Sequence, residues 1–204
     1  MSAPIPSSNV AKPSLPNWMI APAITEEVLS TTTVYRGRIF NLESLSVRMP
    51  DGNTALRDVI RHPGATAVIA LNDRDEVLLI NQWRTALGSV TTEIPAGKLE
   101  PGEDPRECAL REFEEETGLA AGTLDYVTSI TPAAGFCDEV LHIYVATDLT
   151  EASGEHTADD DEFIDVRWVP LDEAVAACTG GLISDCKTII ALLMVAMKRV
   201  RGEW

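Results

Sequence analysis

The sequence predicts an α/β protein with a small antiparallel β-sheet at its N-terminal end. Residues 65–72 and 76–84 are almost continuously apolar, which is typical of strands that are covered on both faces. Residues 104–117 and 184–200 carry the end signals of helices. Before residue 62, in contrast, β-branched residues alternate with polar ones on both sides of an Asp51-Gly52 turn signal.

The N-terminal third of the chain divides into a tail and a sheet region. We expect residues 1–24 to be a tail or strap, because proline interrupts helices and strand ladders alike. The prolines in question are Pro4, Pro6, Pro13, Pro16 and Pro22. Residues 25–62 are expected to form three antiparallel strands, over 28–40, 42–49 and 55–62. These strands are either a small accessory sheet or the beginning of the main sheet.

We expect residues 63–204 to form the main domain. Its first two strands flank a turn at Asn72-Asp73, and a short strand and turn lead into the helix of residues 104–117, which ends at Gly118. Further strands are predicted over 123–130, 139–147 and 163–170, with an acidic loop at 151–162. Two helices follow, over 171–178 and 184–200, the second with Ser184 as its N-cap.

The charge balance limits the classes of partner. The chain has 16 Lys and Arg against 32 Asp and Glu, a formal net charge of −16. Such a protein is not expected to bind nucleic acid or an anionic membrane, both of which require a basic surface. A phosphate ligand would need a divalent cation to bridge the like charges. Four scattered cysteines, no apolar run of about 18 residues and no signal-peptide pattern favour a cytoplasmic protein with free thiols.

Three carboxylates of the helix at 104–117 form the most informative cluster. Glu112, Glu115 and Glu116 have i, i+3 and i+4 spacing, so they project from one face. Like charges at this spacing destabilise a helix unless water or a cation neutralises them. Oxygen ligands suit Mg²⁺ or Mn²⁺ better than zinc, and the backbone carbonyl of Ala96 could approach the same ion. The alternative is a solvated acidic face.

The spacing around this cluster resembles the signature box of the Nudix hydrolases. The matching positions are Gly97, Glu103, Arg111, Glu112, Phe113, Glu115, Glu116, Gly118 and Leu119. The resemblance implies an α/β/α sandwich around a mixed sheet, in which a loop–helix–loop binds divalent metal. The metal bridges the carboxylates and a pyrophosphate, and water attacks one phosphorus.

Segments outside the box resemble the ADP-ribose pyrophosphatase branch of that family. They are residues 35–40, 57–59, 82–84, 93–97 and 134–139. The resemblance implies hydrolysis of ADP-ribose to AMP and ribose 5-phosphate by a homodimer whose accessory sheets are exchanged between subunits. The alternatives are hydrolysis of another nucleoside diphosphate sugar or a dinucleotide, such as GDP-mannose or NADH, and non-catalytic sensing of ADP-ribose. Pro132 and Asp58 depart from the branch pattern, which has proline at the position of Ala134 and glutamate at that of Asp58.

The resemblance also implies roles for individual residues. Glu112 and Glu116 are the expected metal ligands, with the Ala96 carbonyl, and Glu115 either binds metal or orients the water. In the acidic loop, Glu162 is expected to be a further metal contact or the general base, with Asp160 as the next candidate.

The expected substrate contacts lie on strands and loops that flank the box. Arg57 and Arg84 are candidates for phosphate or ribose binding, since guanidinium offers bidentate geometry, but each could equally form a surface ion pair. Asp58 belongs to the same segment as Arg57. Phe40 is either a base contact or a core residue, and Glu139 either contacts ribose or a metal-bound water or is simply exposed.

Overall fold

The computed structural model describes residues 24–154 and 163–203. The strands are β1 Glu27–Arg36, β2 Asn41–Arg48, β3 Thr54–Arg61, β4 Ala65–Ala70, β5 Glu76–Arg84, β6 Ser89–Glu93, β7 Ala96–Lys98, β8 Leu119–Ile130, β9 Leu141–Glu151 and β10 Ile164–Pro170. The helices are α1 Pro105–Thr117, α2 Leu171–Thr179 and α3 Cys186–Val200. In the part of the chain that is described, no helix is long and apolar enough to span a bilayer. Apart from Ile24, the predicted tail lies outside the described residues.

The first three strands form the predicted small antiparallel sheet, in the order β1-β2-β3. The turn between β2 and β3 is built as the sequence indicates, with Gly52 at a φ of 85° and the Asp51 carboxylate accepting from the Asn53 N–H. Leu45 and Val47 of β2 are buried, whereas β1 is exposed along its whole length. Within residues 24–154 and 163–203, strand β1 therefore has no covering layer.

The main sheet is mixed, as predicted. Its strand order is β7-β4-β9-β8, with β4 and β9 parallel and the other two pairs antiparallel. Strand β4 is buried at every position. Strand β5 follows the turn at Asn72-Asp73 but pairs with β6 and β10 in a second, antiparallel sheet. Strands β4 and β5, although consecutive in the chain, thus belong to different sheets.

Strand β4 separates two apolar cores because successive side chains of a strand point to opposite faces. Val68 and Ala70 pack in the cluster that contains Phe113 of α1. Ile69 packs on the other side, in the cluster that contains Leu192 of α3. The result is the predicted α/β/α layering, with α1 on one face of the mixed sheet and α2 and α3 on the other.

The helix ends test the capping predictions. Helix α1 begins after Asp104, whose carboxylate accepts from the Arg106 and Glu107 N–H groups, and it ends at Gly118 with a φ of 69°, as predicted. The N-cap predicted at Ser184 is wrong. Asp185 caps α3 by accepting from the Thr188 N–H. A carboxylate at this place also interacts favourably with the positive end of the helix dipole.

Candidate active site

An open cleft of about 460 Å³ lies beside α1 and β7, and we call it the carboxylate cleft. Its walls include Arg84, Ala96, Gly97, Arg111, Glu112 and Glu115. Glu116 lies behind this wall, where it is buried and accepts the Ala96 N–H at 2.8 Å. The structure therefore brings together the box carboxylates and the main chain of β7.

Gly97 lets the main chain of β7 pass directly against a box carboxylate. A Cβ at Gly97 would lie 1.8 Å from Cδ of Glu112 and close to both of its carboxylate oxygens. No side chain fits there unless Glu112 moves. The glycine at the start of the box is thus required by this close approach, and its φ is not in the left-handed region.

Arg111 orders the carboxylates that surround it. Its Nη1 donates to Glu112 and to Glu115, each at 2.9 Å. Its Nε and Nη2 form a two-pronged pair with Glu103, at 2.9 and 3.0 Å. The hydrogen bond from Arg111 lowers the pKa of Glu103 from 4.5 to about 2, and the same pairing raises the pKa of Arg111. Arg111 thus connects the loop before α1 to the carboxylate face of the helix.

The Arg111–Glu103 pair has a consequence for acid stability. A carboxyl group whose pKa is depressed on folding stabilises the native state above its ordinary pKa of 4.5, and this stability is lost as the pH falls towards 2. Between about pH 6 and pH 3, the wild type should lose roughly 2 kcal/mol more unfolding free energy than the Arg111→Met variant. The reason is that the pKa of Glu103 returns towards its ordinary value when Arg111 is absent. Urea denaturation at the two pH values measures this difference.

The matched control for that experiment is Arg74→Met. Arg74 forms an exposed pair with Glu76, at 3.0 Å, and its side chain is largely in solvent. Such pairs contribute little. The control should therefore keep the acid sensitivity of the wild type, and an equal flattening of the pH dependence in both variants would contradict the role given to Arg111.

The residues of the carboxylate cleft, together with Glu116 behind its wall, fit a divalent cation. They offer the carboxylates of Glu112 and Glu116 and the carbonyl of Ala96, which are hard oxygen donors, and the missing Cβ at Gly97 keeps the main chain beside the Glu112 carboxylate. Within residues 24–154 and 163–203, acidic, His and Cys side chains do not form a converged cage of three or more. Instead, Glu112 and Glu115 accept hydrogen bonds from Arg111, and Glu116 accepts from the Ala96 N–H.

A second cleft, of about 340 Å³, adjoins the first, and we call it the Phe40 cleft. Ile39 and His62 line both clefts, so the two share a wall. Phe40 packs at a tilt against Tyr35, with ring centroids 6.1 Å apart. The predicted base-contact residue therefore lies next to the carboxylate face.

The loop that carries Glu139 is fastened to the end of β3. The Ile60 N–H donates to the Phe136 carbonyl at 2.7 Å, and the Asp138 N–H donates to the Ile60 carbonyl at 3.1 Å. Glu139 lies 3.6 Å from Nδ1 of His62, the residue shared by the two clefts. The structure thus places the Glu139 side chain at the edge of the site.

The two candidate arginines differ in position. Arg84 lines the carboxylate cleft, and its Nε and Nη2 donate to the Glu93 carboxylate at 2.8 and 2.7 Å. Arg57 is exposed on β3 and pairs with Glu26. Among the described residues, the walls of the two clefts include neither Arg57 nor Asp58. Of the predicted substrate contacts, Arg84 lines the carboxylate cleft and Phe40 lines the adjoining cleft. Glu139 contacts His62, which both clefts share, whereas Arg57 and Asp58 lie apart from them.

Some candidate site residues lie outside the described part of the chain, and others are not indicated by the sequence. Glu162 and Asp160, the candidates for the general base, lie outside the described residues. His62 lies in none of the segments that the sequence marks as site candidates, yet it lines both clefts. The sequence does not indicate that Glu93 and Lys187 form a pair. Both are buried in the structure, and buried charges require partners.

Comparison with known proteins agrees with this geometry. Residues 61–184 match the family model described as NUDIX domain. The chain belongs to this family and is a Nudix hydrolase. Residues 26–60 match a second model, the nucleoside diphosphate sugar hydrolase N-terminal domain. The box at 97–119 and the N-terminal sheet are thus each covered by a family model.

Individual relatives extend the comparison. The chain is 41% identical over 167 residues, 82% of this chain and 90% of the relative, to the methanol dehydrogenase activator of Bacillus methanolicus. It is 35% identical to the ADP-ribose pyrophosphatase of Bacillus subtilis (strain 168), over 86% of this chain and 95% of that protein. A crystal structure of ADP compounds hydrolase has a TM-score of 0.75 and 24% identity, over 87% of this chain and 95% of that one, which shows a shared fold.

Proposed function

We propose that this protein hydrolyses the diphosphate of ADP-ribose to AMP and ribose 5-phosphate in the carboxylate cleft, with Mg²⁺, or alternatively Mn²⁺, as its cofactor. The observation that carries the proposal is the contact between the α1 carboxylates and the glycine backbone of β7, in a cleft that adjoins Phe40. A 35% identical relative named ADP-ribose pyrophosphatase supports this substrate.

Three oxygen donors are assigned to the cation: the Ala96 carbonyl and the carboxylates of Glu112 and Glu116. A bound divalent cation neutralises the diphosphate and lowers the pKa of an attacking water. Arg111 keeps Glu112 and Glu115 at the cleft wall by donating to both. We assign Glu115 to the cation or to orientation of the water. Glu162, or else Asp160, is proposed as the general base that accepts a proton from the water, with Glu162 also a candidate metal contact.

The substrate contacts divide between one chain and its partner. Arg84 is assigned to the anionic diphosphate, Phe40 to the base and Glu139 to the ribose or a bound water. Arg57 and Asp58 lie outside both clefts within one chain, so their contact with substrate requires a homodimer in which the N-terminal sheet of one subunit covers the cleft of the other.

Exposed apolar residues of the N-terminal sheet support that dimer. Leu56 is 72% exposed and Val34 is 59% exposed, and β1 has no buried residue. Apolar side chains concentrated on one sheet are typical of a protein–protein interface. The partners proposed for the chain are therefore a nucleotide sugar and a second copy of itself, without nucleic acid or membrane. Free cysteines, two of them buried, are in keeping with a cytoplasmic location.

A substrate panel tests the proposed function. The purified protein with Mg²⁺ and excess alkaline phosphatase is given ADP-ribose, GDP-mannose, NADH and a diadenosine polyphosphate in turn, and phosphate release is measured. We expect the highest kcat/KM for ADP-ribose, by about tenfold or more over GDP-mannose, because the Phe40 cleft is assigned to adenine and GDP-mannose carries guanine instead. Preference for another compound retains the hydrolase and rejects the substrate. Binding of ADP-ribose without turnover of any compound supports a sensor instead.

A second candidate function follows from the 41% identical relative, whose name assigns it activation of methanol dehydrogenase. The test is the rate of methanol oxidation by a purified methanol dehydrogenase with and without this chain. A rise that disappears when Glu116→Gln replaces the wild-type chain indicates activation through hydrolysis. No rise leaves only the substrate panel to define the function.

A further inference from the structure

We infer that Lys187, at the beginning of α3, is a positioning residue that orients Arg84 in the carboxylate cleft by acting through Glu93. The inference rests on the proposed function in one respect, the contact between Arg84 and an anionic diphosphate. Lys187 is 94 residues from Glu93 in sequence and lies outside the box, yet it is buried and forms an ion pair with the Glu93 carboxylate.

The Glu93 carboxylate is surrounded by donors. One oxygen accepts from Nε of Arg84 and from the Thr91 hydroxyl, and the other accepts from Nη2 of Arg84 and from Lys187. Burial alone would raise the pKa of Glu93, but the Arg84 hydrogen bond and the Lys187 charge lower it to about 2. Glu93 is therefore a carboxylate anion at neutral pH, with four donors that fix the plane of its two oxygens.

The first turn of α3 is attached to the strand that enters the cleft. Lys187 binds the Glu93 side chain and also lies 3.1 Å from Asp185. One residue further on, the buried Thr188 hydroxyl accepts the Ile94 N–H at 2.8 Å and donates to Asp185 at 2.6 Å. Lys187 and Thr188 of α3 thus bind Glu93 and Ile94, the two residues just before the Pro95-Ala96-Gly97 segment.

This attachment determines how Arg84 meets a ligand. Planar guanidinium and carboxylate groups joined by two parallel hydrogen bonds adopt one relative orientation. Because Glu93 uses Nε and Nη2, the Nη1 group is the part of the guanidinium without a hydrogen-bond partner among the described residues. The Arg84 side chain is 38% exposed and lines the cleft. Lys187 fixes the Glu93 carboxylate, and Glu93 in turn orients Arg84. Loss of Lys187 should therefore weaken ligand binding more than it slows the chemical step.

The test is steady-state kinetics with ADP-ribose and Mg²⁺ for Lys187→Met, Arg84→Gln and the double variant. For Lys187→Met we expect KM to rise about tenfold while kcat stays within about twofold, the pattern of lost binding that is equal in ground and transition states. In the Arg84→Gln background, Lys187→Met should leave KM unchanged, because the residue through which it acts is absent. An unchanged KM in the single variant, or additive effects in the double variant, overturns the inference.

Leu192→Ala is the control for a purely structural role. Leu192 is fully buried in α3 and belongs to the apolar core, away from the cleft. Leu192→Ala should lower the melting temperature without changing KM, and a rise in KM equal to that of Lys187→Met would count against positioning.

If Lys187→Met does not fold, Glu93→Asp replaces it with the same expectations. This variant keeps the negative charge on a shorter side chain. Absence of turnover in the wild type refutes the proposed function instead.

Discussion

The Glu116→Gln variant is expected to fold normally and to lose turnover by at least about 100-fold, the size of effect seen when one group that stabilises transition-state charge is removed. Glu116 is buried and accepts the Ala96 N–H, and a glutamine amide oxygen can accept the same hydrogen bond. The substitution thus removes a charge from the proposed cation site with little change in shape. Initial rates with ADP-ribose and Mg²⁺ measure the loss, and circular dichroism checks the fold.

Glu114→Gln is the matched control for this variant. Glu114 lies on α1 between the box residues, and the Ala96 N–H, next to the proposed cation site, donates to Glu116 and not to Glu114. Both variants replace glutamate by glutamine on the same helix, so a difference between them reflects only the position of the side chain. We expect turnover within about twofold of the wild type, as for surface substitutions in general. Similar rates for Glu116→Gln and Glu114→Gln would refute the metal role of Glu116.

Gly97→Ala is the second variant for which we expect a large effect. The added Cβ would meet the Glu112 carboxylate at 1.8 Å, and Glu112 is a flexible side chain that can move aside. The fold should therefore survive while the carboxylate leaves its place. A misplacement of about 1 Å in an active site can cost about 100-fold in rate. We expect a loss of that order in kcat, with a nearly unchanged melting temperature.

Two further variants test the cause of that loss. Gly180→Ala makes the same substitution at the end of α2, where φ is −81°, and should leave turnover unchanged. The double variant Gly97→Ala/Glu112→Gln should be no slower than Glu112→Gln alone, since both changes act on one carboxylate. Multiplicative losses in the double variant would show that Gly97 acts by some other route.

The local features of α1 could be predicted from sequence because each depends on neighbouring residues. Asp104 supplies a cap, Gly118 adopts the left-handed conformation and the spacing of Glu112, Glu115 and Glu116 defines a face. The N-cap of α3 was predicted one residue too early, at Ser184. Serine and aspartate are both good caps. The Thr188 hydroxyl that donates to Asp185 also accepts the Ile94 N–H, 94 residues away, and this long-range contact favours Asp185.

Contacts between distant segments could not be predicted in the same way. The sequence predicts Arg84 as a phosphate contact or as part of a surface ion pair. In the structure its partner is the buried Glu93, which neither hypothesis includes. The network through Lys187 joins residues 94 positions apart, a distance over which a single sequence carries no pairing information. Arg57 and Asp58 are a further case, because their proposed role depends on a second copy of the chain.

The most direct test of the account is product analysis after incubation of the wild-type protein with ADP-ribose, with Mg²⁺ present in one sample and replaced by excess EDTA in the other. Anion-exchange chromatography separates AMP, ribose 5-phosphate and unreacted ADP-ribose. We predict equimolar AMP and ribose 5-phosphate with Mg²⁺ and intact ADP-ribose with EDTA. Intact ADP-ribose in both samples, or equal product in both, would contradict metal-dependent hydrolysis in the carboxylate cleft.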